Sequence, residues 1–259
     1  MPLLIKTGDN MNLVIAGYGF VGKAHHKVLK SHYDISIVDP AINDKLVSDY
    51  DADMLIISVA TPQRDDGACD MKHVFEVLRD THSNIPVLIK STISLEGWDQ
   101  IRKDFPKHKI TFSPEYLRAA TAEIDFVNTK SLEFGGDNAK LWMDVMHKVF
   151  PEAKFKELDP RVLILNKYAR NSFLATKVSW FNQLHDLCEA YNVDYQAVAD
   201  IVSSDHRIGL SHTDVTPKRG FGGHCFPKDT SALIHTAKNQ NVDMSVLIEA
   251  VEYNNKIRS

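Results

Sequence analysis

Cysteine is scarce in this 259-residue chain: Cys69, Cys188 and Cys225 form an odd set with no Cys-x-x-Cys spacing. That excludes a disulfide framework and offers no ligand pattern for a structural zinc, so a reducing cytoplasm is the expected compartment. Long apolar runs are missing too. No segment approaches the ~18 apolar residues that cross a bilayer, and Leu3, Leu4 and Ile5 are too short a run for a signal-peptide core. The chain is therefore expected to be neither secreted nor membrane-spanning. Charge of one sign does not accumulate: 30 Lys and Arg face 34 Asp and Glu, with no basic run. Phosphate-backbone binding needs such a footprint, so nucleic acid is not an expected partner. The 12 histidines form no His-Glu-x-x-His and no His/Asp set with ligand spacing; His25, His26, His73, His82, His108 and His147 fall mostly on polar positions and are expected to be solvated, and no metal is expected.

What is present is ordinary globular composition, 44% hydrophobic and 25% charged, in a length that suits about two domains of roughly 100–150 residues. Residues 11–16 are an apolar run ending in Gly17-Tyr18-Gly19-Phe20-Val21-Gly22, followed by a helical stretch over 23–31 and a strand over 35–39. Strand, glycine turn, helix and strand within about thirty residues make a βαβ unit. The alternation continues with strands at 53–59, 87–92, 110–113 and 131–136 and helices between them. It predicts an α/β fold, a Rossmann-type doubly wound parallel sheet covered on both faces. From Asp159-Pro160, an N-cap and first helical position, a helical pattern runs to about Tyr191 without Gly or Pro. Helices near 194–203, 228–239 and 245–256 follow. The expected division is a dinucleotide-binding domain over 1–155 and an all-helical domain with a long central helix over 156–259.

The glycine spacing has a chemical reading. Gly17 permits the tight turn, Gly19 lets backbone approach a pyrophosphate, and Gly22 lets the helix pack on the strand, with the helix N-terminus attracting the anion. Asp39 ends the second strand, where a carboxylate accepts hydrogen bonds from an adenosine ribose. Its charge repels a 2′-phosphate and Pro40 follows it, so NAD is favoured over NADP.

A second constellation lies in Gly220-Phe221-Gly222-Gly223-His224-Cys225-Phe226-Pro227-Lys228-Asp229. Glycines make a loop that can approach a ligand closely, and Pro227 is placed to open a helix. Cys225 at that helix N-terminus beside Lys228 is in a setting that favours a nucleophilic thiolate, with Asp229 placed to handle protons. His224 could tune that thiolate. Lys167 and Asn171, four apart on the long helix, project from one face, and a cation with an amide donor suits a site where negative charge develops on oxygen.

These motifs, in order with Ser58-Val59-Ala60-Thr61-Pro62, Ser113-Pro114-Glu115-Tyr116-Leu117-Arg118, Asn166 to Phe173 and His206-Arg207-Ile208-Gly209, resemble the UDP-glucose/GDP-mannose dehydrogenase family over almost the whole chain. The resemblance implies oxidation of a sugar-nucleotide primary alcohol to a carboxylate by two hydride transfers to NAD, through a cysteine-bound thiohemiacetal and thioester. It implies that Cys225 attacks the aldehyde, Lys167 and Asn171 stabilise the oxyanion, and Asp229 with Thr92 positions or activates water. Glu115 becomes an acid/base in thioester hydrolysis. Tyr116, Leu117, Arg118, Phe221 and Gly222 line the substrate site, joined by Glu115, Lys167 and Asn171, and Arg207 reaches a substrate phosphate of the neighbouring subunit. Phe20, Val21, Thr61 and Thr92 join Gly17, Gly19, Gly22 and Asp39 around NAD, and the long helix forms a homodimer core. The chain departs from the family at Ala119-Ala120, where members usually carry Glu-Gly, and over 210–217. A typical member continues into a second Rossmann-like domain that would begin where this chain stops, so a short form is expected. Two other readings stay open: a β-hydroxyacid-type dehydrogenase, which needs no cysteine, and a non-catalytic NAD-binding relic.

Overall fold

The computed structural model describes residues 11–258; the N-terminal stretch read above as too short for a signal-peptide core lies outside them. The described residues divide into two compact units, one running up to residue 62 and over 69–167, the other over 63–68 and from residue 168 on.

The first unit is built on a 7-stranded sheet of order β2-β1-β3-β4-β5-β6-β7. Its strands are β1 (Asn12–Ala16), β2 (Asp34–Val38), β3 (Met54–Ile57), β4 (Pro86–Ile89), β5 (Lys109–Phe112), β6 (Ser131–Gly136) and β7 (Lys154–Glu157). Helices α1 (Phe20–Leu29), α2 (Lys72–Asp80), α3 (Leu95–Asp104), α4 (Ala122–Val127) and α5 (Ala139–His147) connect them. Strands β3 and β4 are buried at every residue, which is why they read as unbroken apolar runs: helices cover both faces of a parallel sheet. One core cluster joins Leu13, Ile15, Ile56 and Leu88 of the sheet to Trp142 and Met146 of α5 and Phe126 of α4. Burying each such side chain contributes roughly 1.5–3 kcal/mol.

The sheet is mostly parallel. β1 pairs with β2 and β3, β3 with β4, and β4 with β5 in parallel register, but β5 meets β6 antiparallel, at Thr111 against Gly136 and Phe112 against Gly135. The reason lies in the connection. The helices that carry parallel crossovers in this sheet have 9 or 10 residues, whereas α4 has 6 and, at ~1.5 Å per residue, is only about 9 Å long. The chain therefore runs straight back down the sheet as β6, with β7 parallel to it.

The second unit is helical. It takes the long helix α6 (Pro160–Tyr191) from residue 168 on, followed by α7 (Tyr195–Ser204), α8 (Phe226–Asn239) and α9 (Ser245–Ile257). Asp159 starts α6 as the Asp-Pro pair predicts, its Oδ1 accepting from the Arg161 backbone N–H at 2.7 Å. Ala175 and Val178 of α6 pack with Phe221, Phe226 and Val251 as this unit's core. Among the described residues no helix is long and apolar enough to cross a membrane.

Candidate active site

Order β2-β1-β3 places the sheet's switch point between β1 and β3, where a crevice opens at the carboxyl ends of the strands. The glycine turn occupies that point. Gly17 adopts φ +90°, its N–H donates to the Val38 carbonyl at 2.8 Å, and a Cβ on it would stand 2.6 Å from Ser58 backbone atoms. A Cβ on Gly22 would lie 2.1 Å from the Gly17 carbonyl oxygen, so α1 can pack onto the turn only without that side chain. Gly19 differs: nothing lies within 4 Å of its Cβ position. The protein leaves open the space a pyrophosphate needs, directly before Phe20 and Val21 begin α1.

Asp39 closes β2. Its Oδ2 accepts from the Tyr18 N–H at 2.6 Å and its Oδ1 from the Ala41 N–H at 2.8 Å. The carboxylate thus fixes the glycine turn and keeps further lone pairs for a ribose. Thr61 and Thr92 follow β3 and β4, at the same edge of the sheet, and Cys69 donates its thiol toward the Thr92 carbonyl at 3.5 Å. Glycines, acidic partner and open pyrophosphate position fit NAD.

The segment after β5 carries a buried charge cluster. Lys167 donates to the Glu115 carboxylate at 2.7 Å and to the Glu115 backbone carbonyl at 2.5 Å, and the two side chains are 5% and 6% exposed. Glu115 also accepts from the Leu117 N–H at 2.7 Å. Lys90, at the end of β4, is 2% exposed and donates to Ser113 Oγ at 3.0 Å and the Pro114 carbonyl at 2.9 Å. Burial pulls its ammonium down from 10.5 to about 7; Glu115 and Glu133 pull the other way and Lys167 adds to the fall. On α1, His25 is held neutral, lowered to about 3 by burial and by the Lys90 charge. Its Nδ1 faces the Val21 carbonyl at 2.9 Å. Sequence reading passed over Lys90, for which a lysine closing the apolar run of β4 was the available signal, and took His25 as solvated; the structure corrects this, since His25 is fully buried.

Around this cluster the residues separate. Tyr116 Oη accepts from Asn166 Nδ2 at 2.6 Å. The Leu117 side chain lies in the hydrophobic core, so toward a ligand it offers its backbone only. Arg118 is exposed and pairs with Asp125 at 2.7 Å. Ala119 and Ala120 begin a short 3-10 turn.

In the second unit Cys225 is the N-cap of α8, with Pro227 in the first turn. The helix opens two residues before the sequence pattern suggests. Its carbonyl accepts from the Asp229 N–H at 2.8 Å. Asp229 is fully buried and its carboxylate accepts from Asn171 Nδ2 and from Lys228 Nζ, each at 2.5 Å. One turn below the thiol, a carboxylate thus has both a cation and an amide donor. His224 is exposed. Phe221 is buried in the unit's core, and Gly222 lies against the Arg258 guanidinium. Arg207 is exposed and grips Asp205 with Nε and Nη2, at 3.0 and 2.5 Å. Among the described residues, His185, Asp186 and Glu189 bring possible ligand atoms within 4.8 Å of one another, but Asp186 is already held by Arg219 and by Tyr253.

The NAD binding domain of the UDP-glucose/GDP-mannose dehydrogenase family matches residues 43–154, and that family's central domain matches residues 164–256. The UDP-glucose 6-dehydrogenase of Rickettsia felis is 33% identical over 220 residues, 80% of this chain and 48% of that protein. Its namesake in Bacillus subtilis is 30% identical over 217 residues, 79% of this chain and 49% of that protein. A UDP-glucose dehydrogenase structure from the hyperthermophilic archaeon Pyrobaculum islandicum superposes with a TM-score of 0.84 at 25% identity, covering 98% of this chain and 70% of that one. The chain spans about half the length of the curated relatives it matches. The glycine turn precedes the matched segment, so its NAD-shaped geometry is a separate observation. Two consecutive family domains on a matching fold lead to one assignment: the chain belongs to the UDP-glucose/GDP-mannose dehydrogenase family.

Proposed function

We propose that the chain is an NAD-dependent nucleotide-sugar 6-dehydrogenase that oxidises UDP-glucose, or a close analogue, to the uronate through a covalent Cys225 intermediate. The observation that carries the reading is Cys225 as the N-cap of α8 above a fully buried Asp229 that Asn171 and Lys228 hold. A helix N-terminus favours the thiolate, and a buried carboxylate of fixed orientation is suited to receive and return a proton.

NAD supplies the hydride acceptor, once per oxidation and twice per substrate. Gly17, Gly19, Phe20, Val21, Gly22, Asp39, Thr61 and Thr92 would hold it. The C6 alcohol loses a hydride and a proton to give the aldehyde. Cys225 Sγ then adds to the aldehyde carbon, forming a C–S bond and an oxyanion that Lys167 and Asn171 stabilise. Loss of the second hydride from that carbon leaves the thioester. Water, oriented by Asp229 and Thr92, adds to the thioester carbonyl, the C–S bond breaks and the thiolate is regenerated. Glu115 moves the proton of the attacking water. Its carboxylate is buried and held in place by Lys167, and a fixed orientation is what a proton-transfer group needs. Tyr116, Leu117, Arg118, Phe221 and Gly222 would contact the sugar nucleotide, and Arg207 would exchange Asp205 for a phosphate of the neighbouring subunit's substrate. The partner is a second copy: α6 exposes Phe173, Trp180, Leu187 and Tyr191, an apolar stripe at near-heptad spacing.

Incubation with NAD and a panel of sugar nucleotides, followed by NADH absorbance, tests the reading. Two NADH per uronate are expected, and Cys225→Ser abolishes acid formation while NAD binding persists. A ratio of one would replace the reading with a single-step dehydrogenase.

A further inference from the structure

The residues before Cys225 adopt a bend that is held largely by side chains from elsewhere in the unit. Arg219 and Gly220 take φ +53° and +55° in succession, and for arginine that region is disfavoured by about 1–2 kcal/mol. The Arg219 N–H donates to the Thr216 carbonyl at 2.8 Å, and three further backbone groups of the bend find their partners in side chains on or just after the flanking helices. Asn182 Oδ1, on α6, accepts from the Gly220 N–H at 3.1 Å and from Arg219 Nε at 2.9 Å. Asn254 Oδ1, on α9, accepts from the Phe221 N–H at 2.6 Å. Arg258, following α9, donates to the Arg219 carbonyl at 2.8 Å. Asn182 and Asn254 are 1% and 3% exposed, depths at which a polar side chain is stable only with its hydrogen bonds made. Fit is close as well as polar: a Cβ on Gly220 would stand 2.2 Å from Asn254 Oδ1, and one on Gly222 would stand 2.3 Å from the Arg258 guanidinium.

From this geometry we infer that Asn182 and Asn254, with Arg258, are positioning residues that brace the glycine loop between α6 and α9 and so keep Cys225 at the N-cap of α8. The brace works through backbone: two N–H groups and one carbonyl are fixed within four residues upstream of Gly223, and from there the chain leads directly into the thiol-bearing residue. Released, the bend relaxes toward negative φ, and Cys225 leaves the position where the helix N-terminus favours its thiolate. The inference rests on the reading of Cys225 as nucleophile only for its importance to turnover; the brace itself is read out without turnover.

The test is the rate of iodoacetamide alkylation of Cys225 at pH 7 on the full chain, with Cys225→Ser as the blank for buried Cys69 and Cys188. Asn182→Leu removes the acceptor, and the rate is expected to fall about three- to fivefold, the size of a helix-terminus effect on a thiolate. Asn182→Asp keeps an acceptor beside the Arg219 guanidinium and should stay within about twofold of the parent. Arg258→Met, at a half-buried position, should lower the rate in the same direction with an unchanged melting temperature. A cooperatively folded Asn182→Leu protein alkylated at the parent rate overturns the inference, as does an Asp variant that falls as far as the Leu variant. Should Asn182→Leu fail to fold, Arg258→Met decides alone, and an unchanged rate there overturns it. Were Cys225→Ser to retain uronate production, the proposed mechanism would fail while the alkylation result still judged the brace.

Discussion

The three glycines of the nucleotide turn do different work, and substitution separates them. Gly22 is a packing glycine: its Cβ would sit 2.1 Å from the Gly17 carbonyl oxygen, so Gly22→Ala forces the backbone apart, at a cost of about 1–3 kcal/mol for an overpacked site. Gly19 is a ligand glycine. Its φ of −71° and ψ of −163° suit alanine, and its Cβ would enter open space. Gly19→Ala is therefore expected to melt with the parent protein yet bind NAD about tenfold more weakly, the methyl standing where the pyrophosphate approaches. Calorimetry and thermal melts on both variants check this, and a Gly19→Ala protein with parental NAD affinity would remove the pyrophosphate assignment. Lys90 gives a second expectation. Its folded pKa of about 7 lies below the ordinary 10.5, so between these values the unfolded chain binds a proton that the folded chain has released. Stability contributed by this site rises with pH across that window and is flat below it. The melting-temperature difference between Lys90→Met and the parent should be most in the variant's favour at pH 6–7 and shrink toward pH 9.5. Parallel curves would contradict it. The sequence showed the glycines and Asp39 because a nucleotide-binding turn needs those residue types at a set spacing along the chain. Lys90, Asn182 and Asn254 were not legible, since each takes its meaning from partners that only the tertiary structure brings within 3 Å or so.

At the scale of elements, the turn after β5 depends on two buried lysines. Lys90 holds Ser113 and Pro114 from the end of β4, and Lys167, from the second turn of α6, holds Glu115 by both its carbonyl and its carboxylate. Removing one member of a buried ion pair strands the other, which costs about 3–5 kcal/mol, whereas replacing both by apolar groups can be close to neutral. Glu115→Leu should thus destabilise the protein by about 3 kcal/mol, Lys167→Met similarly, and the double variant by clearly less than the sum. A denaturant-unfolding cycle measures the coupling; additive losses would show that the pair is not a unit. Most elements were legible from the sequence, β1 through β6 and α6 among them, because buried parallel strands are apolar runs and helices carry their caps. β7 was not: Lys154-Phe155-Lys156-Glu157 is an edge strand with one half-buried residue, and an edge needs no apolar pattern. Nor was α4, a six-residue helix too short for a 3.6-residue period to show, and with it went the reversal of β6.

At the scale of the whole molecule, the long helix has more apolar surface than one copy of the chain uses. Phe173 is 70% exposed, Trp180 50%, Leu187 55% and Tyr191 75%. Steps of seven, seven and four put them along one side of α6, the spacing by which one helix face meets another. Ile201 on α7, 75% exposed, adds to the apolar surface of the same unit. Such patches on soluble proteins mark association sites, and a twofold axis across α6 would bury the same residues on both copies, as an isologous interface requires. Three aromatic side chains and a leucine per copy, at ~25 cal/mol per Å² of apolar surface, supply several kcal/mol before the entropic cost of association. Light scattering at tens of micromolar should therefore give twice the protomer mass for the parent chain, and Trp180→Glu with Leu187→Glu should halve it. Because those positions lie in the helical unit and the glycine turn in the other, the monomeric variant should bind NAD as the parent does. Any turnover that recruits Arg207 from a second copy should be lost with the dimer and return when an Arg207→Ala protein with an intact stripe is paired with a Cys225→Ser protein, each supplying what the other lacks. A parent chain that is monomeric, or a monomeric variant with full activity, would mean that the stripe serves something other than a second copy.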